Sequence, residues 1–217
     1  MAFGYSVMLD LAGRRALVAG GGEVAARKIR RLLAAGAEVT AIAPAFCAEI
    51  AEDCARGLLC CERRAFALDD IAALDPFIVF AATDDAALNK AIAAYCDAAR
   101  ILVNAITDPQ NGNFSVQAEI PRALYAVSVS TYGQGPGFAK ALREYLEPVL
   151  DERLDLAVEV FIGVRQWLLA SVDDPKQRQA QMRRLSLKRI YELIDAGITD
   201  HDELSERVKE WLSCSLD

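Results

Sequence analysis

Histidine is almost absent: His201 is the only one in 217 residues. That removes most His-built metal sites and argues against a Ser-His-Asp triad. The six cysteines, Cys47, Cys54, Cys60, Cys61, Cys96 and Cys214, form no C-x-x-C pair. Their spacing fits neither a zinc ribbon nor a disulfide scaffold, so free thiols and no metal centre are expected. No run approaches the roughly 18 apolar residues of a membrane span, and the N-terminus lacks the basic-then-apolar pattern of a signal peptide. The expectation is a cytoplasmic protein without a membrane partner. Positive charge is in deficit, with 24 Lys and Arg against 31 Asp and Glu, a net −7. Such a chain repels phosphate backbones and is not expected to bind nucleic acid.

Apolar residues make up 53% of the chain, which rules out global disorder, and the length implies one to two domains. Glycine becomes scarce along the chain: 11 of 13 lie at or before Gly137. The first part therefore reads as turn-rich and the last as helical. Residues 15–19 form an apolar strand that meets glycine at once, 23–35 carry apolar positions at helical spacing, and 38–43 form a second strand ended by Pro44. This is a β-α-β unit of about 30 residues. Further strands are expected at 58–66, 77–82 and 101–105, with a helix at 85–99. Alternation of this kind implies a parallel sheet covered on both faces. Two extended segments, 114–119 and 123–130, then follow without an intervening helix and should pair antiparallel. Helices are expected at 137–150, 153–172, 176–196 and 201–213. The fold class is α/β: a Rossmann-like domain (1–113), a small β insertion or linker (114–150) and a helical C-terminal domain (151–217).

Gly20-Gly21-Gly22-Glu23-Val24-Ala25 joins the first strand to the first helix and matches G-x-G-x-x-A. Gly20 permits the tight turn, Gly22 lets a pyrophosphate approach the backbone, and Ala25 lets helix and strand pack closely. The helix N-terminus then stabilises the phosphates. The acid that usually closes the second strand is missing; Ile42-Ala43-Pro44 stands there, so backbone around Ala43 and Pro44 must meet the ribose. With no Arg following, NAD is favoured over NADP. Thr83 and Asp84 follow the fourth strand and Asn104, Thr107 and Asp108 the fifth, where ligands of open α/β sheets bind. Asp84 also reads as the cap of the helix that follows.

Four separated stretches agree with one family. GGGEVAARK, AATDD followed by Asn89, VNA and STYGQGP, in that order from about Leu9 to Leu150, resemble the dehydrogenase/ferrochelatase part of siroheme synthase and stand-alone precorrin-2 dehydrogenases. The resemblance implies oxidation of precorrin-2 to sirohydrochlorin with NAD⁺, a tetrapyrrole substrate and a homodimer built through the middle segment. It places Gly21, Gly22, Glu23 and Val24 on the dinucleotide, Ala43 and Pro44 at its adenosine end, and Thr83 and Asn104 on the nicotinamide side. The family's catalytic Asp falls at Thr107 here, and the acid comes one residue later, at Asp108, our candidate base. Thr131 takes the place of a family serine. Thr107, Thr131 and Arg122 are substrate-side candidates, with Lys140 and Arg143 as further cations. Iron insertion is the weaker half of the family's chemistry for this chain, because its one histidine stands in a helix-start context. A binding or regulatory protein that kept the fold and lost catalysis is the alternative, and a channel-type NAD-binding module is a more distant one. The net −7 further implies that basic residues gather at the substrate cleft.

Overall fold

The computed structural model describes residues 5–106, 111–132 and 135–214. These fall into two compact units, one of residues 5–116 with Tyr132, the other of 117–131 with 135–214.

The first unit is built on five parallel strands: β1 (Arg15–Ala19), β2 (Glu38–Ala43), β3 (Cys60–Arg63), β4 (Ile78–Ala81) and β5 (Leu102–Ala105), in the order β3-β2-β1-β4-β5. This is the Rossmann-like fold the alternation of elements predicts. Helices α1 (Glu23–Ala34) and α2 (Ala48–Ala55) cover one face; α3 (Asp69–Leu74) and α4 (Ala86–Ala98) cover the other. Each face has its own core, because strand side chains alternate. Ala16, Val18, Ile78 and Phe80 meet Ala25, Ile29 and Ile50 on the α1 side. Leu17, Ala19, Ile42 and Val79 meet Ile71, Ile92 and Cys96 on the α4 side. Strands buried on both faces read as continuous apolar runs, which is why β1 and β4 stand out in the sequence.

Two helices were not expected. α2 and α3 are eight and six residues long and bury only Ile50 and Ile71, so neither carries a periodic apolar stripe. The third strand is shorter than the expected 58–66. Arg64, the residue after it, bonds Asp70 and Glu62.

In the second unit β6 (Ala118–Pro121) and β7 (Ala126–Val129) pair antiparallel, as two adjacent extended segments should. Helix α5 (Pro136–Leu146) and a 3₁₀ turn follow. The 20-residue α6 (Glu152–Ser171) lays Ala157, Val160, Val164 and Leu168 along one seam. Helices α7 (Pro175–Arg184), α8 (Leu187–Asp195) and α9 (His201–Ser213) complete that unit, with Leu185, Ile190, Ile194, Leu204, Val208 and Leu212 closing the core around the seam. The single helix expected over 176–196 is two helices. Ser186 is extended (φ −138°, ψ 143°) and its hydroxyl accepts the Arg189 N–H, starting α8 afresh. Among the described residues no helix is long and apolar enough to cross a membrane.

Candidate dinucleotide site

The glycine turn is shaped by close approach of backbone to backbone. Gly20 adopts φ +133°, its N–H donates to Ile42 O at 3.0 Å, and a Cβ there would lie 2.3 Å from Ala82 O. Gly21 O accepts the Cys47 N–H at 2.8 Å, and a Cβ on Gly21 would lie 1.9 Å from Ala45 O. Gly22 differs. It is the N-cap of α1 in an extended conformation (φ −87°, ψ −177°), and a Cβ there would meet nothing within 4 Å. Its surroundings are open, and among the described residues no side-chain cap bond is made at this helix start. Gly20 and Gly21 thus hold the turn against the β2 and β4 ends, and Gly22 leaves a free approach to the positive end of a helix.

That approach opens into a cavity of about 760 Å³. Residues from the C-terminal ends of all five strands line it: Gly20–Gly22, Ala43 and Pro44, Ala65 and Phe66, Ala82 and Thr83, and Ile106. It lies at the reversal of strand order between β1 and β4, where ligands of doubly wound sheets bind. Its size suits a cofactor. Glu23 and Val24 of the first α1 turn also line it, so eight of the nine residues expected on the dinucleotide surround one space. The ninth, Asn104, is not among the lining. It pairs in register with Phe80 on the α1 face, and its Nδ2 donates to Phe114 O at 3.1 Å. Phe114 in turn packs edge-on to Phe80 at 5.7 Å.

Thr83 is held by a residue recognised in the sequence only as part of a motif. Asn89 is 2% exposed; its Nδ2 donates to Thr83 O at 2.8 Å, while its Oδ1 accepts from the Thr83 N–H at 3.1 Å and hydroxyl at 2.7 Å. The helix cap expected at Asp84 is instead Asp85, whose carboxylate accepts from the N–H groups of Ala87 and Leu88. The cap needs a carboxylate directly before the first helical residue, and that residue is Ala86; Asp84 is left exposed on the cavity wall. Glu23, Asp84 and Asp85 are the charged residues of the lining, so the expected gathering of cations is not at this cavity.

Thr107 and Asp108 lie outside the described residues. In the second unit Thr131 Oγ1 donates to Gly135 O at 3.3 Å. Arg122 donates from Nη2 to Leu150 O at 2.6 Å, with Nε 3.7 Å from Asp155, a carboxylate that also accepts the Tyr125 hydroxyl. Lys140 faces Glu144, and Arg143 faces Glu147 at 3.1 Å. His201 is half-exposed, with Nδ1 2.9 Å from Asp202 Oδ1. Among the described residues no group of three His, Cys, Asp or Glu could hold a metal ion. Burial raises the Cys96 thiol to about 12, and burial together with the neighbouring Cys54 thiol raises Cys61 to about 12, which favours the protonated thiol at both. On α1, burial and then the charges of Arg27 and Arg31 lower Lys28 to about 8; its ammonium lies 5.8 Å from the Phe80 ring centre.

Comparison with known proteins agrees with this geometry. A family model described as "Putative NAD(P)-binding" matches residues 7–118. A precorrin-2 dehydrogenase of Priestia megaterium is 37% identical over 148 residues, 68% of this chain and 72% of that protein. The chain belongs to the precorrin-2 dehydrogenase family. A solved structure of SirC, a precorrin-2 dehydrogenase, superposes with a TM-score of 0.77 at 28% identity, covering 95% of this chain and 99% of the other. Siroheme synthase of Gluconacetobacter diazotrophicus is 35% identical over 81% of this chain, but the chain spans only 38% of that protein's length. Gly22 leaves the approach to the α1 N-terminus open, and Ala43 and Pro44 form an apolar stretch of the cavity wall.

Proposed function

We propose that this chain oxidises precorrin-2 to sirohydrochlorin with NAD⁺, a step of siroheme synthesis. The observation that carries the proposal is the glycine-floored cavity at the strand ends, in a chain 37% identical to a precorrin-2 dehydrogenase. Bound there, NAD⁺ supplies the hydride acceptor. The chain's part is binding, orientation and proton removal. Gly20–Gly22 and the first turn of α1 receive the pyrophosphate. Ala43 and Pro44 pack the adenosine. Thr83, fixed by Asn89, orients the nicotinamide side, and Asn104 is carried there by the resemblance.

Two electrons leave a reduced carbon of the macrocycle as hydride and a proton leaves with them. Asp108, three residues after β5, is the proposed base for that proton. With the only histidine in another part of the chain, proton removal rests on a carboxylate, a hydroxyl or the substrate itself, and Asp108 is the group proposed. Thr107, Thr131 and Arg122 are proposed to face the tetrapyrrole. Arg122 would then exchange Leu150 O and Asp155 for a substrate carboxylate, an exchange of like contacts. A homodimer formed through 114–150, in the cytoplasm and without nucleic-acid or membrane partners, completes the proposal.

The test is turnover of anaerobic precorrin-2 by the purified protein, with and without NAD⁺. Sirohydrochlorin forming only with NAD⁺, and its loss in Asp108→Asn with dinucleotide binding intact, is the expected result. Dinucleotide binding without any turnover of the wild type rejects the enzyme in favour of a binding protein.

A further inference from the structure

The sequence around β2 offers no side chain to hold the adenosine ribose, yet the sheet brings a cation beside the end of β2 from another strand. Rossmann sites that select NAD usually end β2 in a carboxylate, which binds the ribose hydroxyls and repels a 2′-phosphate; NADP sites put an Arg nearby. Here β2 ends in Ile42-Ala43-Pro44. In the β2–β3 ladder Ala43 pairs with Arg63 and Ile42 with Glu62. Side chains alternate along a strand, so Arg63 lies on the face of Ala43 and Cys61, and Glu62 lies on the other.

The Arg63 guanidinium carbon stands 5.8 Å from the centre of the Phe46 ring, and Phe46, Ala43 and Pro44 all line the cavity. Arg64 is differently placed: Asp70 holds both of its terminal nitrogens and Glu62 also accepts from it. Among the described residues Arg63 makes no ion pair. It is an exposed cation over the ring of Phe46, which lines the cavity beside Ala43 and Pro44, and the one acid of its strand, Glu62, is engaged by Arg64.

We propose that Arg63 anchors a 2′-phosphate subsite, so that the cavity takes NADP as well as NAD. A guanidinium held over a ring can offer its N–H fork to a phosphate, and no carboxylate ends β2 to oppose the added charge. The inference rests on the dinucleotide reading of the cavity. It is tested by calorimetric titration of NAD⁺ and NADP⁺ into the full chain, as wild type, Arg63→Ala, Arg63→Lys and Arg64→Ala. The wild type is expected to bind both dinucleotides, with dissociation constants within about tenfold of each other. Arg63→Ala should raise the ratio of NADP⁺ to NAD⁺ dissociation constants at least tenfold, Arg63→Lys should restore part of it, and raising the salt should weaken NADP⁺ more than NAD⁺. Wild type that binds NAD⁺ but not NADP⁺, or an unchanged ratio in Arg63→Ala, overturns the subsite and leaves the cavity's reading intact. Failure of both dinucleotides to bind overturns that reading, and the subsite with it.

Discussion

Gly21 and Gly22 are neighbours in one motif, yet a single methyl group should act on them in opposite ways. In Gly21→Ala the new carbon would sit 1.9 Å from Ala45 O and 3.0 Å from both Ala45 C and Ala43 Cβ. The Ala45 carbonyl belongs to the connection whose Cys47 N–H bonds Gly21 O, so both sides of the clash are backbone. Relief requires a shift of about 1 Å, and overpacking of this kind costs about 1–3 kcal/mol. At about 2–4 °C per kcal/mol for a chain of this size, Tm should fall by about 2–12 °C. In Gly22→Ala the methyl meets nothing within 4 Å, and φ −87° with ψ −177° is open to alanine. Stability should stay within about 0.5 kcal/mol of wild type. The methyl would stand where the pyrophosphate approaches, so NAD⁺ affinity should fall at least tenfold, about 1.4 kcal/mol. Calorimetric unfolding and NAD⁺ titration of both variants read the two effects separately. Gly22→Ala binding NAD⁺ as wild type does, or Gly21→Ala melting with wild type, refutes the division of labour.

Asn89→Ala removes every hydrogen bond that fixes Thr83 from α4 and leaves buried polar groups unmatched; it should destabilise by about 2–4 kcal/mol and weaken NAD⁺ binding, both measurable on one sample by unfolding with and without ligand. Lys28 is lowered from 10.5 to about 8, so the folded state releases its proton more readily than the unfolded one. Below about pH 8 both states are protonated and the folded state carries the full desolvation cost; that cost fades as pH rises from about 8 to 10.5. Lys28→Met should therefore stabilise at pH 7 by about 2 kcal/mol, after allowance for the solvent still reaching the amine, and most of the gain should be gone above pH 10.5; a gain independent of pH contradicts this. Asp85→Ala, which removes the cap of α4, should cost about 1 kcal/mol, whereas Asp84→Ala should leave the melting temperature unchanged.

The parts legible in the sequence are those whose signals are local. β1, the glycine turn, α1 and β2 follow one another with an apolar run, positive-φ glycine, a buried helical stripe and Pro44, each read within a few residues. Where signals are short or non-local the reading stops. α3 buries a single side chain and carries no period. Two adjacent aspartates offer the same cap, and only the reach of a carboxylate to Ala87 and Leu88 picks Asp85. Ser186 breaks a stretch whose apolar period runs on through it. At the site, the residues flanking Gly20 were readable from the motif, but Ala45, Phe46 and Arg63 enter through the β2–β3 ladder and a turn packed against Gly21. No pattern along the chain announces a neighbour 20 residues away.

The central claim joins one cavity to one reaction, and the most direct measurement follows both products in a single anaerobic sample of purified protein, precorrin-2 and NAD⁺. The account predicts NADH and sirohydrochlorin appearing together in equal amounts, and both forming more slowly in Gly22→Ala at an NAD⁺ level that just saturates the wild type. Sirohydrochlorin without matching NADH, or a Gly22→Ala protein as active as wild type under those conditions, contradicts it.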